Sequence, residues 1–435
     1  MEAQAAAVLI LIFTYIVLFL ETHNRAIAAI IGGLTMVVCG IITQQQAISG
    51  IDFNTIFLLV GMMVLVGTAE KSGIFEYAAI FCAKISGGNP RGLLATTAIL
   101  TAVFSALFDN VTTILLIVPI ILKITKIAQI SPYPYLISAI FASNIGGTAT
   151  LIGDPPNILI GSALNLSFTD FIIKLAPISI IALVLMIIIF DFMYKNKLKI
   201  SKKQRAEIMQ LVPGDYIIDR VLAQKSLFVL AVVTTAFAMA EILHLENGTI
   251  ALSGAAILLF LQCISQKREQ HDKFVAEILS NVDWTTIFFF SGLFIMVHGL
   301  SETGVLAKLG TCFLEAVDGS VKKATFLMLW GAAGLSAIID NIPFVATMIP
   351  MIKSIEPGLG GRATVMPIWW ALSLGACFGG NGSLIASSAN VIAAGLATKH
   401  GNPIKFGKFL LWSLPITLIT LVAAHFYLLI IYFTN

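Results

Sequence analysis

The sequence predicts an all-α polytopic membrane protein: about ten transmembrane helices in two inverted repeats, each with a re-entrant helical hairpin and an interrupted helix. Composition is the first reason. Of 435 residues, 58% are hydrophobic and only 11% charged, with a mean hydropathy of +0.95, too apolar for a soluble domain. The second is run length: the apolar stretches are mostly about 17 to 25 residues long, the length that crosses a hydrocarbon core of about 30 Å. The third is a duplication. Residues 105–119, SALFDNVTTILLIVP, return as SAIIDNIPFVATMIP at 336–350, so Ser105, Asp109, Asn110 and Pro119 fall on Ser336, Asp340, Asn341 and Pro350 at a spacing of 231.

Taken in order, the first apolar run, 3–20, has no positively charged leader region, and another run follows within a few residues. It reads as a retained span and not as a signal peptide. Spans follow at 26–42 and 53–69, then a short amphipathic piece at 74–86 and two arms at 92–108 and 111–127. Two full spans would return the chain to the same side as a re-entrant hairpin would. The two-residue turn and the proline expected to break the second arm favour the hairpin. An interrupted span at 134–164 and a full one at 168–193 complete the first repeat, 1–193. A basic cytoplasmic linker, 194–225, leads to the second repeat, 226–435. That repeat follows the same plan: spans at 226–243, 249–264 and 284–300, a helix near 304–317, arms at 322–339 and 342–355, an interrupted span at 365–397 and a last span at 408–432.

If residue 1 faces out, this layout places 20 of the 26 Lys and Arg on one side, among them Arg25, Lys195, Lys197, Lys199 and Lys267. The positive-inside rule then makes that side cytoplasmic and both termini external, in an inner (plasma) membrane. The linker reads as a solvated connector, although such a run also attracts anionic lipid. The net charge of +3 includes no cluster suited to nucleic acid, and the five cysteines are scattered singly, without metal-site or disulfide spacing. No cofactor or metal is expected.

The repeat extends beyond the hairpins. Asp52, Thr55 and Gly61 match Asp283, Thr286 and Gly292, and Gly73 matches Gly304. After a two-residue slip, Gly146, Gly147 and Asn157 meet Gly379, Gly380 and Asn390. Five crossings per half, an odd number, make the repeats inverted, a construction of secondary transporters with the site at the midplane between repeats. The interruptions are visible as NIGGTATLIGDPPNILIG, 144–161, and CFGGNGSLIASSANVIAAG, 377–395. Glycine and proline at that density unwind a helix, and unwound backbone in a membrane needs a cavity or protein to satisfy it.

The candidate substrate- and proton-binding residues lie in these four motifs. Asp109 and Asp340 suit N-caps of the second hairpin arms, and as carboxylates in apolar surroundings they also suit proton carriage. Asn110 and Asn341 offer donors and acceptors to a hydroxylated solute, with Thr112 beside the first tip. Asp154 either caps the half-helix after it or binds an ion or a proton; its counterpart is Ser387. Thr148, Thr150, Asn157, Asn381, Ser383, Ser387, Ser388 and Asn390 either line the cavity or make helix–helix hydrogen bonds, around the glycine pairs Gly146-Gly147 and Gly379-Gly380. Cys377 has no second thiol nearby in sequence and reads as structural. With two hairpin carboxylates and no Lys or Arg in the four motifs, a multivalent anion would meet uncompensated repulsion. A cation or a small uncharged hydroxylated solute is left.

FDNVTTILLIVP, NIGGTATLIGDPPN, DNIPFVATMIP and GGNGSLIASSANV resemble the signatures of the ion transporter superfamily, in particular the arsenite/antimonite efflux permeases and the melanosomal P protein. The resemblance covers nearly the whole chain. It implies a ten-to-eleven-span inverted-repeat fold, alternating access by sliding a transport domain against a scaffold, and often a homodimer. Citrate and dicarboxylate carriers of the superfamily carry Ser-Asn-Thr at the hairpin tips where this chain has Asp109-Asn110 and Asp340-Asn341. Sodium/proton antiporters differ after the glycine pair, where this chain reads IGDPPN. The resulting expectation is proton-driven efflux of arsenite or antimonite. Cation/proton antiport and anion permeation are the alternatives within the superfamily.

An intramembrane aspartyl protease is disfavoured by Leu151 standing where its pattern needs glycine, and a channel suits the doubled hairpins less well than a carrier. HExxH and GxxxxGK[ST] motifs do not occur in the sequence. The expected partners are a small inorganic substrate, protons and the lipid bilayer, with room for a separate cytoplasmic ATPase.

Overall fold

The computed structural model describes residues 2–20, 23–194, 200–264 and 268–434, and among these every regular element is a helix. Lys195, Lys197, Lys199 and Lys267, which entered the orientation count, lie outside the described residues. Helix starts follow local chemistry in matched pairs. Asp52 and Asp283 accept hydrogen bonds from the backbone N–H and the hydroxyl of Thr55 and Thr286, capping Phe53–Glu70 and Trp284–Glu302. Gly73 and Gly304, at φ +78° and +74°, supply the left-handed turn that starts Ile74–Ile85 and Val305–Ala316.

Among the described residues, eight helices are long and apolar enough to cross a membrane, and Glu2–Leu18, Arg25–Val38 and Asn341–Ile355 are shorter apolar helices. The hairpin arms are Pro90–Leu107 with Asn110–Ile127, and Val321–Ser336 with Asn341–Ile355. Pro119 and Pro350 sit inside continuous helices, so the second arms are not broken as expected. A proline inside a helix frees one carbonyl, which neighbouring protein can satisfy in a membrane. The interrupted spans are Tyr133–Thr148 with Pro155–Leu164, and Arg362–Gly379 with Ser388–Lys399.

Packing sorts the helices into two bodies. In the first, Phe53–Glu70 lies along Asn247–Ile264, and Trp284–Glu302 along Arg25–Val38, so each half lends a span to the other. These pairs approach closely at glycine: a Cβ on Gly61 would sit 2.6 Å from the backbone of Ala251, and one on Gly292 2.4 Å from that of Ala29. In the second body, the first hairpin arms pack on the interrupted spans of their own half and the second arms pack across. Asn110–Ile127 meets Ser388–Lys399, and Asn341–Ile355 meets Pro155–Leu164. Matched serines tie the first arms down: Ser105 Oγ donates to Ser143 O and Ser336 Oγ to Ala376 O. We call the two bodies the paired-span layer and the hairpin core.

Short polar helices at Gln44–Ser49, Lys202–Gln210 and Arg268–Ser280 had no apolar run to announce them. Capping boxes at Thr43/Gln46 and Ser201/Gln204 start the first two. The span after the linker begins at Arg220, capped by Asp219. Lys225, placed in the linker from its charge, lies inside that helix and donates through Nζ to Leu261 O at 2.7 Å.

Candidate substrate and coupling-ion site

Both hairpin tips end where the first interrupted span breaks. That break lies between two buried half-helices, so the tips meet inside the helical body, as re-entrant hairpins require. The focus is Asp154, fully buried, whose Oδ1 accepts from Asn110 Nδ2 at 3.2 Å and from Asn341 Nδ2 at 3.5 Å. Its side chain makes no cap bond to Pro155–Leu164: Pro155 and Pro156 have no N–H, and Asn157 N donates to the Asp154 carbonyl instead. Among the described residues, Asp154 Oδ2 has no hydrogen-bond partner. A cavity of about 20 Å³ adjoins it, bordered by Asp109, Asn110, Asn341, Ser387 and Ser388. That is room for a water or a bare ion.

Asn144 holds the centre together. Its Oδ1 accepts from Asn110 Nδ2 (3.2 Å) and Ser387 Oγ (3.3 Å), and its Nδ2 lies 3.0 Å from Asn381 Oδ1 and 3.0 Å from Asn390 Oδ1. Asn381 Nδ2 and Ser383 Oγ are buried without a partner among the described residues. Other predicted residues brace the unwound backbone. Asn157 Nδ2 donates to Thr148 O and Thr150 O, and Asn390 Nδ2 to Gly380 O and Ser383 O. Thr148 Oγ1 donates to Asn144 O and Thr150 Oγ1 to Ala106 O. Gly146, Gly147 and Gly379 allow backbone approach: a Cβ at each would fall within 2.7 Å of a carbonyl oxygen. Gly380 ends the helix Arg362–Gly379. Cys377 occupies the position matching Asn144, and its Sγ, 3.7 Å from Asn157 Oδ1, repeats the Asn144–Asn390 contact in the other half.

The two tips differ chemically. Asp109 spends both carboxylate oxygens on Thr112, accepting from its N–H at 2.9 Å and its Oγ1 at 2.5 Å. At the second tip Pro343 replaces that threonine, offering neither donor. Asp340 Oδ1 accepts from Ile342 N, and Oδ2 turns outward to accept from Ser388 Oγ at 2.9 Å.

A guanidinium enters the site from outside the four motifs. Arg25, at the start of Arg25–Val38, donates through Nη1 to Ser388 Oγ and through Nη2 to Thr286 Oγ1 at 2.7 Å, with Asp283 Oδ2 at 3.6 Å. It borders both the central cavity and a cavity of about 290 Å³ that reaches His23 and Tyr15. A third cavity, about 560 Å³, lies by Gly50, Asn54 and Lys353 at the other end of Arg25–Val38. The absence of Lys and Arg from the motifs therefore does not leave the site without a cation, and the charge argument against anions loses its premise. Arg25 carried no local signal beyond its charge near a span end. Asn144 stood in the first interruption motif but was not singled out.

A family model described as Citrate transporter, CitMHS, matches residues 15–375, taking in Arg25, both hairpin tips and Asp154. The chain belongs to the CitMHS citrate transporter family. It is accordingly a multi-pass membrane transporter. This CitMHS member is 38% identical to an uncharacterized transporter of Mycobacterium bovis over 434 residues, 99% of each chain. It is 31% identical to the P protein of Mus musculus over 99% of this chain and 60% of that one. Among solved structures, the YdaH transporter of Alcanivorax borkumensis superposes with a TM-score of 0.56 at 16% identity, covering 86% of this chain and 83% of that one. MtrF of Neisseria gonorrhoeae gives 0.57 at 14% identity, covering 92% and 85%. These two share the fold. The P protein resemblance agrees with expectation, whereas the family description names citrate, which the hairpin-tip residues had argued against.

Proposed function

We propose that this CitMHS transporter is a proton-coupled secondary carrier in which Asp109, Asp154 and Asp340 hold the coupling protons and Asn110 and Asn341 close over the solute. One observation carries the reading: the tips of both hairpins donate to a single buried carboxylate beside a cavity too small for more than a water or an ion, with larger cavities on either side. An occluded polar site between two vestibules, at the junction of inverted repeats, suits alternating access. Movement of the hairpin core against the paired-span layer, an elevator, is the form that leaves both bodies intact. For the solute, arsenite or antimonite remains the first reading, as small uncharged trihydroxy acids matched by the amides and hydroxyls. Arg25 favours a second, an organic anion such as citrate, held by the guanidinium once a neighbouring carboxylate is protonated.

Reconstitution tests this. Proteoliposomes given a pH gradient should show saturable, counterflow-competent movement of arsenite or antimonite on the first reading, or of citrate on the second. Asp154→Asn should fold but lose the response to the gradient. Full pH-driven transport in Asp154→Asn would sink the proposal. Flux without saturation or counterflow would indicate a channel.

A further inference from the structure

We infer that Arg25, Ser388 and Asp340 form a protonation-sensitive latch between the paired-span layer and the hairpin core. The idea rests on the coupled-carrier reading and adds to it where ion loading is converted into freedom to move. Arg25 belongs to the layer, where Thr286 and Asp283 on the neighbouring span hold its guanidinium. Ser388 and Asp340 belong to the core. The hydroxyl of Ser388 accepts from Arg25 Nη1 and donates to Asp340 Oδ2, so one serine joins a cation on one body to a carboxylate on the other. Tyr15, also in the layer, adds a neutral contact nearby, its OH reaching Pro343 O at 3.0 Å and Thr347 Oγ1 at 3.0 Å.

This relay exists once, although the hairpin is built twice. Position 388 corresponds to Pro155 in the first repeat, which has no hydroxyl, and Thr112 holds both oxygens of Asp109 within its own hairpin. Only the second tip, where proline stands in place of threonine, has a carboxylate oxygen to give to the other body.

The relay depends on the charge of Asp340. While it is a carboxylate, Ser388 points its single proton at Oδ2 and offers a lone pair to Arg25, and the carboxylate also attracts the guanidinium through space. Once Asp340 is protonated, that attraction is gone. Its O–H becomes a donor toward the same serine oxygen, leaving the Ser388 proton without its acceptor. The contact weakens, and the core is freed from the layer on this face. Other titratable or charged groups facing this corner are Tyr15, His23, Asp109, Asp154 and Asp283, so a test must isolate Asp340.

Double electron–electron resonance provides one. In the full chain with its cysteines replaced, spin labels go on Val38→Cys in the layer and on Leu411→Cys in Phe406–Phe433, the last helix, which packs on the interrupted span Arg362–Gly379 of the core; both positions are exposed. The parent protein should give one dominant distance at pH 8 and, on acid titration, a second population that rises about tenfold, the scale of losing one hydrogen bond to a charged group. Asp340→Asn should show the second population already at pH 8 and throughout the titration, as should Arg25→Gln, while Arg25→Lys, which keeps the charge, should restore part of the pH response. Thermal unfolding checks that each variant is folded. The latch is overturned if Asp340→Asn or Arg25→Gln keeps the parent's pH response, or if the parent shows one distance throughout. Because no solute is involved, a pH-dependent distance with no pH-driven transport would uphold the latch and sink the carrier reading alone.

Discussion

Gly146 sits so close to the first hairpin arm that a Cβ there would lie 2.2 Å from Ala102 O. A backbone atom cannot swing away as a side chain can, so Gly146→Ala must push the first hairpin off the interrupted span. Overpacking of this kind costs about 1–3 kcal/mol. We expect a melting temperature several degrees lower in detergent, with Gly331→Ala, whose Cβ would meet nothing within 4 Å, unchanged. The same residue-scale reasoning separates the candidate site into two groups. Asp154, Asn110 and Asn341 face one another across the cavity, whereas Asn157 and Asn390 hold unwound carbonyls in place. Both groups looked alike in sequence, because an asparagine in an apolar run carries no mark of which partner it will meet.

Among the elements, most apolar helices were legible to within a few residues, since their length and polarity are imposed by the bilayer. The polar surface helices were not. Arg268–Ser280 is tied to the end of Phe53–Glu70 by Lys71 Nζ, 2.5 Å from Glu277 Oε1. Lys71 holds the Glu277 carboxyl below its ordinary range, so this contact contributes at and above neutral pH and is lost as pH falls through the lowered value. Limited proteolysis within Arg268–Ser280 at pH 7 should therefore speed up in Lys71→Gln, modestly because the pair is exposed. An unchanged rate would show that packing alone holds this helix.

For the whole molecule, the inverted repeat makes orientation a single binary choice. From the charge distribution, residue 247, between the spans 226–243 and 249–264, is expected outside and residue 203 inside. With the native cysteines replaced, an impermeant thiol reagent on intact cells should modify Asn247→Cys and spare Lys203→Cys. The opposite pattern would turn the molecule over, placing the larger vestibule by Lys353 in the cytoplasm and the Arg25 vestibule outside.

The sequence by itself determined the membrane class, the order of spans, the doubled hairpins with their Asp-Asn tips and the two interruptions. Each of these is local or repeats at a fixed spacing: apolar length, glycine and proline density, a match at 231 residues. Only the tertiary structure decided that Asp154 is the point where both tips converge, that Cys377 mirrors Asn144, and that Arg25 stands beside Ser388 and Asp340. Those relations join residues from different halves of the chain. Polar groups buried in a membrane must find partners wherever packing brings donors and acceptors together, and no local pattern records which distant residue will be there.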